Sequence, residues 1–525
     1  MRILTTALLV VLSLAACGGG GGGSSQFTTT WQMGVFQPAA NFANKCAAPR
    51  MGTDPITHVA YPDRAGSLLD ENNFLRSWSN DLYLWYSEIT DQNPANFSTT
   101  LLYFDVLKTT ALTATGSKKD KFHFTYTTSD WEALALTGSS AGYGVQWVIL
   151  SGTPPRSLVV AYTDPNTPAT AVSANLVRGE YVLQVDGIDL VNATTQAQVD
   201  MLNAGLFPSA AGQSHTFVIQ DHQGVQRTIT MVSASVTSTP VQNVHAIGTA
   251  TGNVGYMLFN DHLATSEKGL YDAFTALAGQ NVTDLVIDIR YNGGGYLDIA
   301  SEVGYMVAGP TTTAGETFEL VQFNSKHPST DPVTGSAIAP TPFLTMSQGF
   351  NASLLASGVA LPHLDLTRVF VLTGPDTCSA SEAVINGLRG AGVTVIQIGS
   401  TTCGKPYGFY PQDNCSTTYF SIEFRGVNHV NFGDYTDGFS PQNTQPSSTP
   451  TGVLLPGCSI ADDFSHQLGD AAEARLAEAL SYRANGVCAS PASGFGKALH
   501  AQVRSPGDGL MPASALRALM IPTRH

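Results

Sequence analysis

A chain of 525 residues is too long for one ordinary domain and sets an expectation of two or three. Its net charge of −15, with no basic stripe, argues against a nucleic-acid partner. Only 12% of the residues are charged and 51 are glycine, a balance that suits an exported protein better than a cytosolic one.

The N-terminus carries a more specific signal. Met1-Arg2 gives a short charged start, and Ile3–Ala16 is apolar but too short to span a bilayer as a mature helix. It ends in Leu14-Ala15-Ala16-Cys17, which resembles the lipobox of bacterial lipoproteins. That resemblance implies lipidation at Cys17 and anchoring to a membrane of a bacterial envelope, on its periplasmic face or at the cell surface. The following GGGGGGSS reads as a flexible tether, so residues 1–17 form a signal segment and 18–65 a linker with a loosely packed lead-in. Beyond Cys17 there are six cysteines: Cys46, Cys378, Cys403, Cys415, Cys458 and Cys488. An even number in an exported chain points to disulfides, among 15 possible pairings. No metal is expected, because neither CxxC nor HExxH spacing occurs.

Residues 66–137 read as a small helical domain. Phe74, Leu75, Trp78, Leu82, Leu84 and Trp85 recur at helical spacing behind Asp70-Glu71, and Thr99–Thr110 is a second helical candidate. Residues 138–237 read as β-rich. GYGVQWVIL and SLVVAYT are strands, Thr170–Leu176 a short helix, and GEYVLQVDGIDL two strands about the turn Asp186-Gly187. The order Gly142-Tyr143-Gly144-Val145, then a helix with Ala169 and Ala171, then Arg178–Gly187 resembles a PDZ domain of the bacterial protease type. Such domains add an extended peptide to a sheet edge and hold its terminal carboxylate on a glycine-rich loop. The resemblance places that loop at Ala141, Gly142, Tyr143, Gly144 and Val145.

Residues 238–488 alternate strand and helix as an α/β domain does. VGYMLFN (254–260), TDLVIDIR (283–290), RVFVLTG (368–374) and Thr394–Gly399 are short apolar runs suited to a sheet covered on both faces. Helices are expected over Lys268–Leu277, Tyr296–Ala308, Ser381–Arg389 and from about Ala471. Residues 310–365 read as an irregular arm and 489–525 as a disordered tail. TDLVIDIR runs into Tyr291-Asn292-Gly293-Gly294-Gly295 ahead of a helix, a loop whose free amides suit an anion. Phosphate is disfavoured, because GxxxxGK[ST] is missing and GxGxxG does not fit; a reaction oxyanion remains.

Serine needs a base before it attacks. No GxSxG or SxxK motif is present, and no histidine stands in a recognisable catalytic context. Ser379, after one apolar run, and Lys405, after the next, instead fall at the same end of neighbouring parallel strands, where α/β sites form. Each residue also has an ordinary reading: Ser379 as a helix cap and Lys405 as a surface lysine.

Taken together, Thr377-Cys378-Ser379-Ala380-Ser381-Glu382, Gly404-Lys405 and Asp288-Ile289-Arg290-Tyr291-Asn292-Gly293-Gly294-Gly295 resemble the C-terminal processing peptidases, also called tail-specific proteases. The resemblance covers roughly residues 70–485. It implies a multidomain α/β protein: a crotonase-like α/β core, a PDZ-like domain and a small helical domain. It implies a serine peptidase without cofactor that cleaves exported proteins or peptides recognised by their C-termini. Ser379 would be the nucleophile and Lys405 the base, with Gly294, then Gly295, and Ala380 as oxyanion donors. Many members carry Gln four residues after the lysine to orient it; that position here is Phe409, which leaves Gln412 as the substitute. Cys378 could bond to Cys403 and staple the two loops. A catalytically inactive, surface-anchored peptide-binding protein on the same core is the other reading, and an acyl transferase or esterase a third.

Overall fold

A computed structural model describes residues 31–444 and 452–489, together with the backbone of Leu519–Met520. The lipobox at Cys17, the glycine tether and most of the tail after Cys488 lie outside the described residues. Among the described residues, no helix is long and apolar enough to cross a membrane.

The apolar runs of the α/β region form one six-stranded sheet. Its order is Val241–Thr249, Gly252–Phe259, Val282–Asp288, Arg368–Thr373, Thr394–Gly399, Gly457–Ser459. The first pair is antiparallel and every later pair parallel. A parallel strand must be covered on both faces, which is why these runs are apolar throughout rather than alternating. One face lies under the helices Ser266–Gly279, Leu297–Thr313 and Ala380–Gly390, among Phe274, Ile287, Val303 and Val371. The other face, with Val286, Phe370, Ile396 and Ile398, takes Leu476 and Ala479 of a helix over Ala474–Asn485. That last helix starts three residues later than its periodicity suggests, because the Glu473 side chain accepts the Leu476 amide as its cap. The helix Leu297–Thr313 runs past the expected Ala308 but kinks at Gly309, where φ is +70°, ahead of Pro310.

The arm at 310–365 is less irregular than its composition implies. Thr317–Phe323 is a strand that pairs antiparallel with Phe424–Val427, burying Phe318 and Val321. The β-rich unit is closed off by its own ends. Ser139–Gly142 at its entry pairs with Ala234–Thr237 at its exit. Between them, strands over 226–232, 214–220, 181–185, 157–163 and 145–151 stand in that order, and Val145–Ser151 is the edge. The Asp186-Gly187 turn is formed, with φ of +50° and +78°, the two positive values that a tight two-residue hairpin needs. The helix of this unit is not where it was expected. Residues 168–170 make one 3-10 turn, and the helix spans Gln196–Leu206. Thr195 caps it by accepting the Gln198 amide, with the Gln198 side chain reaching back.

The N-terminal part is helical, as its spacing suggests, over Leu68–Leu82, Thr100–Asp105 and Thr128–Thr137. Phe74, Trp78 and Phe104 pack there against Tyr419 of the core. It is stitched to the core in two further ways. Phe124–Thr127 pairs with Thr417–Phe420, and Cys46 is disulfide-bonded to Cys415. The lead-in is therefore fastened rather than loose from Cys46 onward.

Candidate active site

Ser379 stands where the strand Arg368–Thr373 has ended and the helix Ala380–Gly390 begins. Its backbone is at φ +61° and ψ −117°, a region that a residue with a Cβ enters only at a cost of order 1–3 kcal/mol. The turn is over-determined by its bonds. Cys378 N–H donates to the Asn292 carbonyl at 3.0 Å, and the Ser381 hydroxyl donates to the same oxygen at 3.1 Å. The Thr377 hydroxyl donates to the Ile289 carbonyl at 2.8 Å. Ser379 is fully buried, and among the described residues its Oγ has no partner that meets hydrogen-bond geometry. An unpaired buried hydroxyl is costly, so it is expected where a hydroxyl is kept for chemistry.

Glu382, three residues on, organises what surrounds it. Its buried carboxylate accepts Ser379 N–H at 3.0 Å and Lys405 N–H at 2.8 Å on one oxygen. The other oxygen accepts Gly404 N–H at 2.9 Å and the Thr402 hydroxyl. Because the amides of Ser379 and Lys405 share one acceptor atom, the two loops cannot be farther apart than those two bonds allow. Burial pushes the Glu382 carboxyl above the usual range, while the bonds from Thr402, Lys405, Gly404 and Ser379 pull it back. The sequence offers a signal for this role, the S-x-x-E spacing of a capping box at Ser379. It does not show that the same carboxylate reaches a loop 23 residues further on.

Lys405 is fully buried. Its Nζ lies 4.2 Å from the centre of the Phe409 ring and 5.1 Å from that of Phe122. Here the expectation for Gln412 is corrected. Gln412 sits on a short strand paired with Tyr419, and its carboxamide nitrogen donates to the Asp413 carbonyl. The side chain four residues after the lysine, Phe409, is the one against it, held by the rings of Phe124 and Phe420. Phe122 comes from the N-terminal region, and nothing in the sequence links it to Lys405.

The glycine loop after Val282–Asp288 closes on the serine from the other side. A Cβ on Gly294 would lie 2.8 Å from the Cys378 carbonyl oxygen and from Ser379 Cβ, and 2.9 Å from the Ala380 nitrogen. With φ at +102°, that position admits glycine alone for both conformation and space. Gly294 N–H is donated to Asn292 Oδ1 at 3.0 Å, so this amide meets a substrate oxygen only by exchanging that bond. Asn292 Nδ2 donates to the Phe259 carbonyl, which fixes the orientation of the carboxamide. His262 Nδ1 lies 3.1 Å from the same Oδ1 and therefore donates to it. Burial drives the imidazole pKa down to about 3, so the ring is neutral, and its Nε2 has no partner among the described residues. Gly295–Tyr296 runs past the serine as a short strand, and the backbone of Leu519–Met520 pairs with it in parallel.

Asp288 and Arg290 serve the frame. Arg290, fully buried, joins Asp288 with Asp462 and Glu473, its bonds to those two carboxylates being 2.7–2.9 Å. Arg178 of the β-rich unit enters the same network at Asp462 and at the Tyr291 hydroxyl, one residue from Asn292. In the β-rich unit, the Tyr143 hydroxyl donates to the Gly205 carbonyl at the end of the helix Gln196–Leu206. Gly144, at φ +74°, has no room for a side chain beside Thr167. The six cysteines beyond Cys17 are paired as Cys46–Cys415, Cys378–Cys403 and Cys458–Cys488.

Residues 253–409, which include the glycine loop, Ser379 and Lys405, match Peptidase family S41. The chain is 28% identical over 182 residues to the chloroplastic C-terminal processing peptidase of Tetradesmus obliquus, a stretch that is 32% of this chain and 37% of that protein. The match thus spans little more than a third of that relative. A candidate S41 protease from Bacteroides fragilis NCTC 9343 has the same fold, with a TM-score of 0.57 and 21% identity, over 81% of this chain and 98% of that one. The photosystem II D1 C-terminal processing protease aligns less well, with a TM-score of 0.40 and 20% identity, over 75% of this chain and 94% of that one. The fold and site define a mixed α/β protein with a buried serine on a strained turn beside a buried lysine. The chain carries a domain of peptidase family S41.

Proposed function

We propose that the protein is a serine endopeptidase in which Ser379 is the nucleophile and Lys405 the general base. The observation that carries this reading is the shared Glu382 carboxylate. It draws the amides of Ser379 and Lys405 onto one oxygen, beside an unpaired Ser379 Oγ and against Gly294. General-base chemistry needs the neutral amine at Lys405, which is fully buried against the rings of Phe122 and Phe409.

The amine takes the Ser379 proton as Oγ attacks a peptide carbonyl, and the resulting ammonium protonates the departing amine. Ala380 N–H, at the first position of the helix Ala380–Gly390, and the Gly294–Gly295 backbone receive the oxyanion. Water then hydrolyses the acyl-enzyme with Lys405 again as base. The edge Gly295–Tyr296 suits an extended substrate, since it already pairs with the backbone of Leu519–Met520. An incoming peptide takes that place.

The β-rich unit fits a PDZ-like role in selecting substrates by their C-termini. Val145–Ser151 is an edge strand, and the Ala141–Val145 loop is anchored at Tyr143 and shaped by Gly144. The lipobox at Cys17 and the three disulfides support export and lipid anchoring in a bacterial envelope. Peptide cleavage by wild type, Ser379→Ala and Lys405→Ala, measured side by side, tests the dyad. Both variants are expected to stay folded and lose turnover by about a thousandfold or more. Retained cleavage by either one overturns the assignment.

A further inference from the structure

The two loops that present Ser379 and Lys405 are joined by a covalent bond that the hydrolytic chemistry does not use. Cys378 immediately precedes the serine, Cys403 stands two residues before the lysine, and the pair is disulfide-bonded. Two further links lie beside it. Cys403 N–H donates to the Thr377 carbonyl at 3.0 Å, and Glu382 gathers the amides of Ser379, Gly404 and Lys405. The registry of base to nucleophile therefore passes through one small bundle of contacts, of which the disulfide is the only covalent member.

We propose that the Cys378–Cys403 disulfide is a positioning element for the Ser379–Lys405 pair, so that hydrolysis requires the oxidised cysteines and is suppressed by thiols. This rests on the reading of Ser379 and Lys405 as the reacting groups. Two thiols cannot stay at bonding distance, so reduction drives the sulfurs apart to van der Waals contact. Cys378 is fully buried within the main hydrophobic core, and close-packed surroundings pass that displacement to the backbone on either side. The backbone on one side is Ser379 itself. Without the bond the registry falls to the Cys403–Thr377 backbone hydrogen bond and to Glu382, whose charged form is opposed by burial. A misplacement of about 1 Å between reacting groups can cost on the order of a hundredfold in rate.

The chemistry of the switch is ordinary thiol–disulfide exchange. Cys403 is partly exposed and Cys378 is not, so an external dithiol attacks the Cys403 sulfur. Cys378 leaves as a thiolate and takes a proton. The second thiol of the reagent then closes on the mixed disulfide and releases Cys403. The protein disulfide is reduced to two thiols and the dithiol is oxidised to a cyclic disulfide. The other two disulfides tie Cys46 to Cys415 and Cys458 to Cys488, and none of these four residues adjoins Ser379 or Lys405.

The test uses the full chain with dithiothreitol as the reductant and a peptide substrate as the readout. Thiols are counted by mass spectrometry, and folding is followed by circular dichroism. Oxidised wild type is expected to lose about tenfold or more in kcat on reduction of Cys378–Cys403, with KM little changed, and to recover on reoxidation. The C378A/C403A double variant should be slow from the start and insensitive to dithiothreitol. C46A/C415A should keep the wild-type response. Should C378A/C403A fail to fold, reversible inactivation of folded wild type decides the matter alone. Full activity of wild type with Cys378 and Cys403 shown to be reduced, or wild-type kcat in the double variant, overturns the proposal. Absence of cleavage by oxidised wild type, or cleavage by Ser379→Ala, would instead sink the catalytic reading, and this inference with it.

Discussion

Glu382→Gln is the most informative single substitution, because it keeps the shape of the side chain and changes what it can accept. Each carboxylate oxygen of Glu382 accepts two donors: Ser379 N–H and Lys405 N–H on one, Gly404 N–H and the Thr402 hydroxyl on the other. In glutamine one oxygen becomes an NH2 group, so whichever way the amide turns, two buried donors face a donor. An unsatisfied buried donor costs about 1–3 kcal/mol, so the loss is roughly 2–6 kcal/mol, concentrated on the two loops that present Ser379 and Lys405. The Thr402 hydroxyl can rotate away and bring the loss to the lower end when its oxygen is the one replaced. Even about 3 kcal/mol expressed in the transition state is a drop of roughly a hundredfold in kcat. The assay is steady-state hydrolysis of a peptide substrate, with kcat and KM separated, alongside thermal melting of the same preparations. The expected outcome is a large fall in kcat with a modest loss of melting temperature. Wild-type kcat in Glu382→Gln would refute the claim that this carboxylate sets the geometry of the pair.

Gly294→Ala should lower kcat by about a hundredfold or more while leaving the chain folded. Its Cβ would meet Ser379 Cβ and the Cys378 carbonyl oxygen at 2.8 Å, on a residue at φ +102°. Unchanged turnover would show that the loop does not abut the nucleophile. Glu302 gives a pH prediction that is independent of catalysis. Burial and the neighbouring Glu267 carboxylate push its carboxyl from 4.5 up to about 10. The folded state therefore holds a proton that the unfolded state releases between those two values. Stability is full below pH 4.5 and falls as pH rises towards 10, by up to about 1.4 kcal/mol per pH unit. Glu302→Gln removes that slope, so its melting temperature should gain on wild type steadily from pH 5 to pH 9. Parallel melting curves for the two proteins would refute the assignment.

Local sequence determined the elements that rest on short-range physics. The parallel strands were legible as apolar runs because both of their faces are covered, and the Asp186-Gly187 turn because two positive φ values narrow the choice of residues. Ser379, Lys405 and the glycine loop were legible as motifs at the ends of three such runs. Sequence erred where a cap or a partner strand decides. The composition of Thr170–Leu176 suggests the helix of the β-rich unit, yet the helix lies at Gln196–Leu206, where the Thr195–Gln198 capping pair marks its start. The strand Thr317–Phe323 is not legible from its own stretch, because its pairing partner lies about a hundred residues away, at Phe424–Val427.

Tertiary structure alone decided how the site is held. That one carboxylate serves the amides of both Ser379 and Lys405 depends on a loop and a helix meeting across the end of a sheet. That Phe122 and Phe409, not Gln412, lie against Lys405 depends on where the N-terminal region packs. The choice of three disulfides out of 15 pairings is likewise a matter of which Cα atoms come within 5.2–5.7 Å of one another. Spacing along the chain encodes the period of a helix or strand. It carries no distance between residues whose separation is set by packing, and the chemistry of this site lies in those distances.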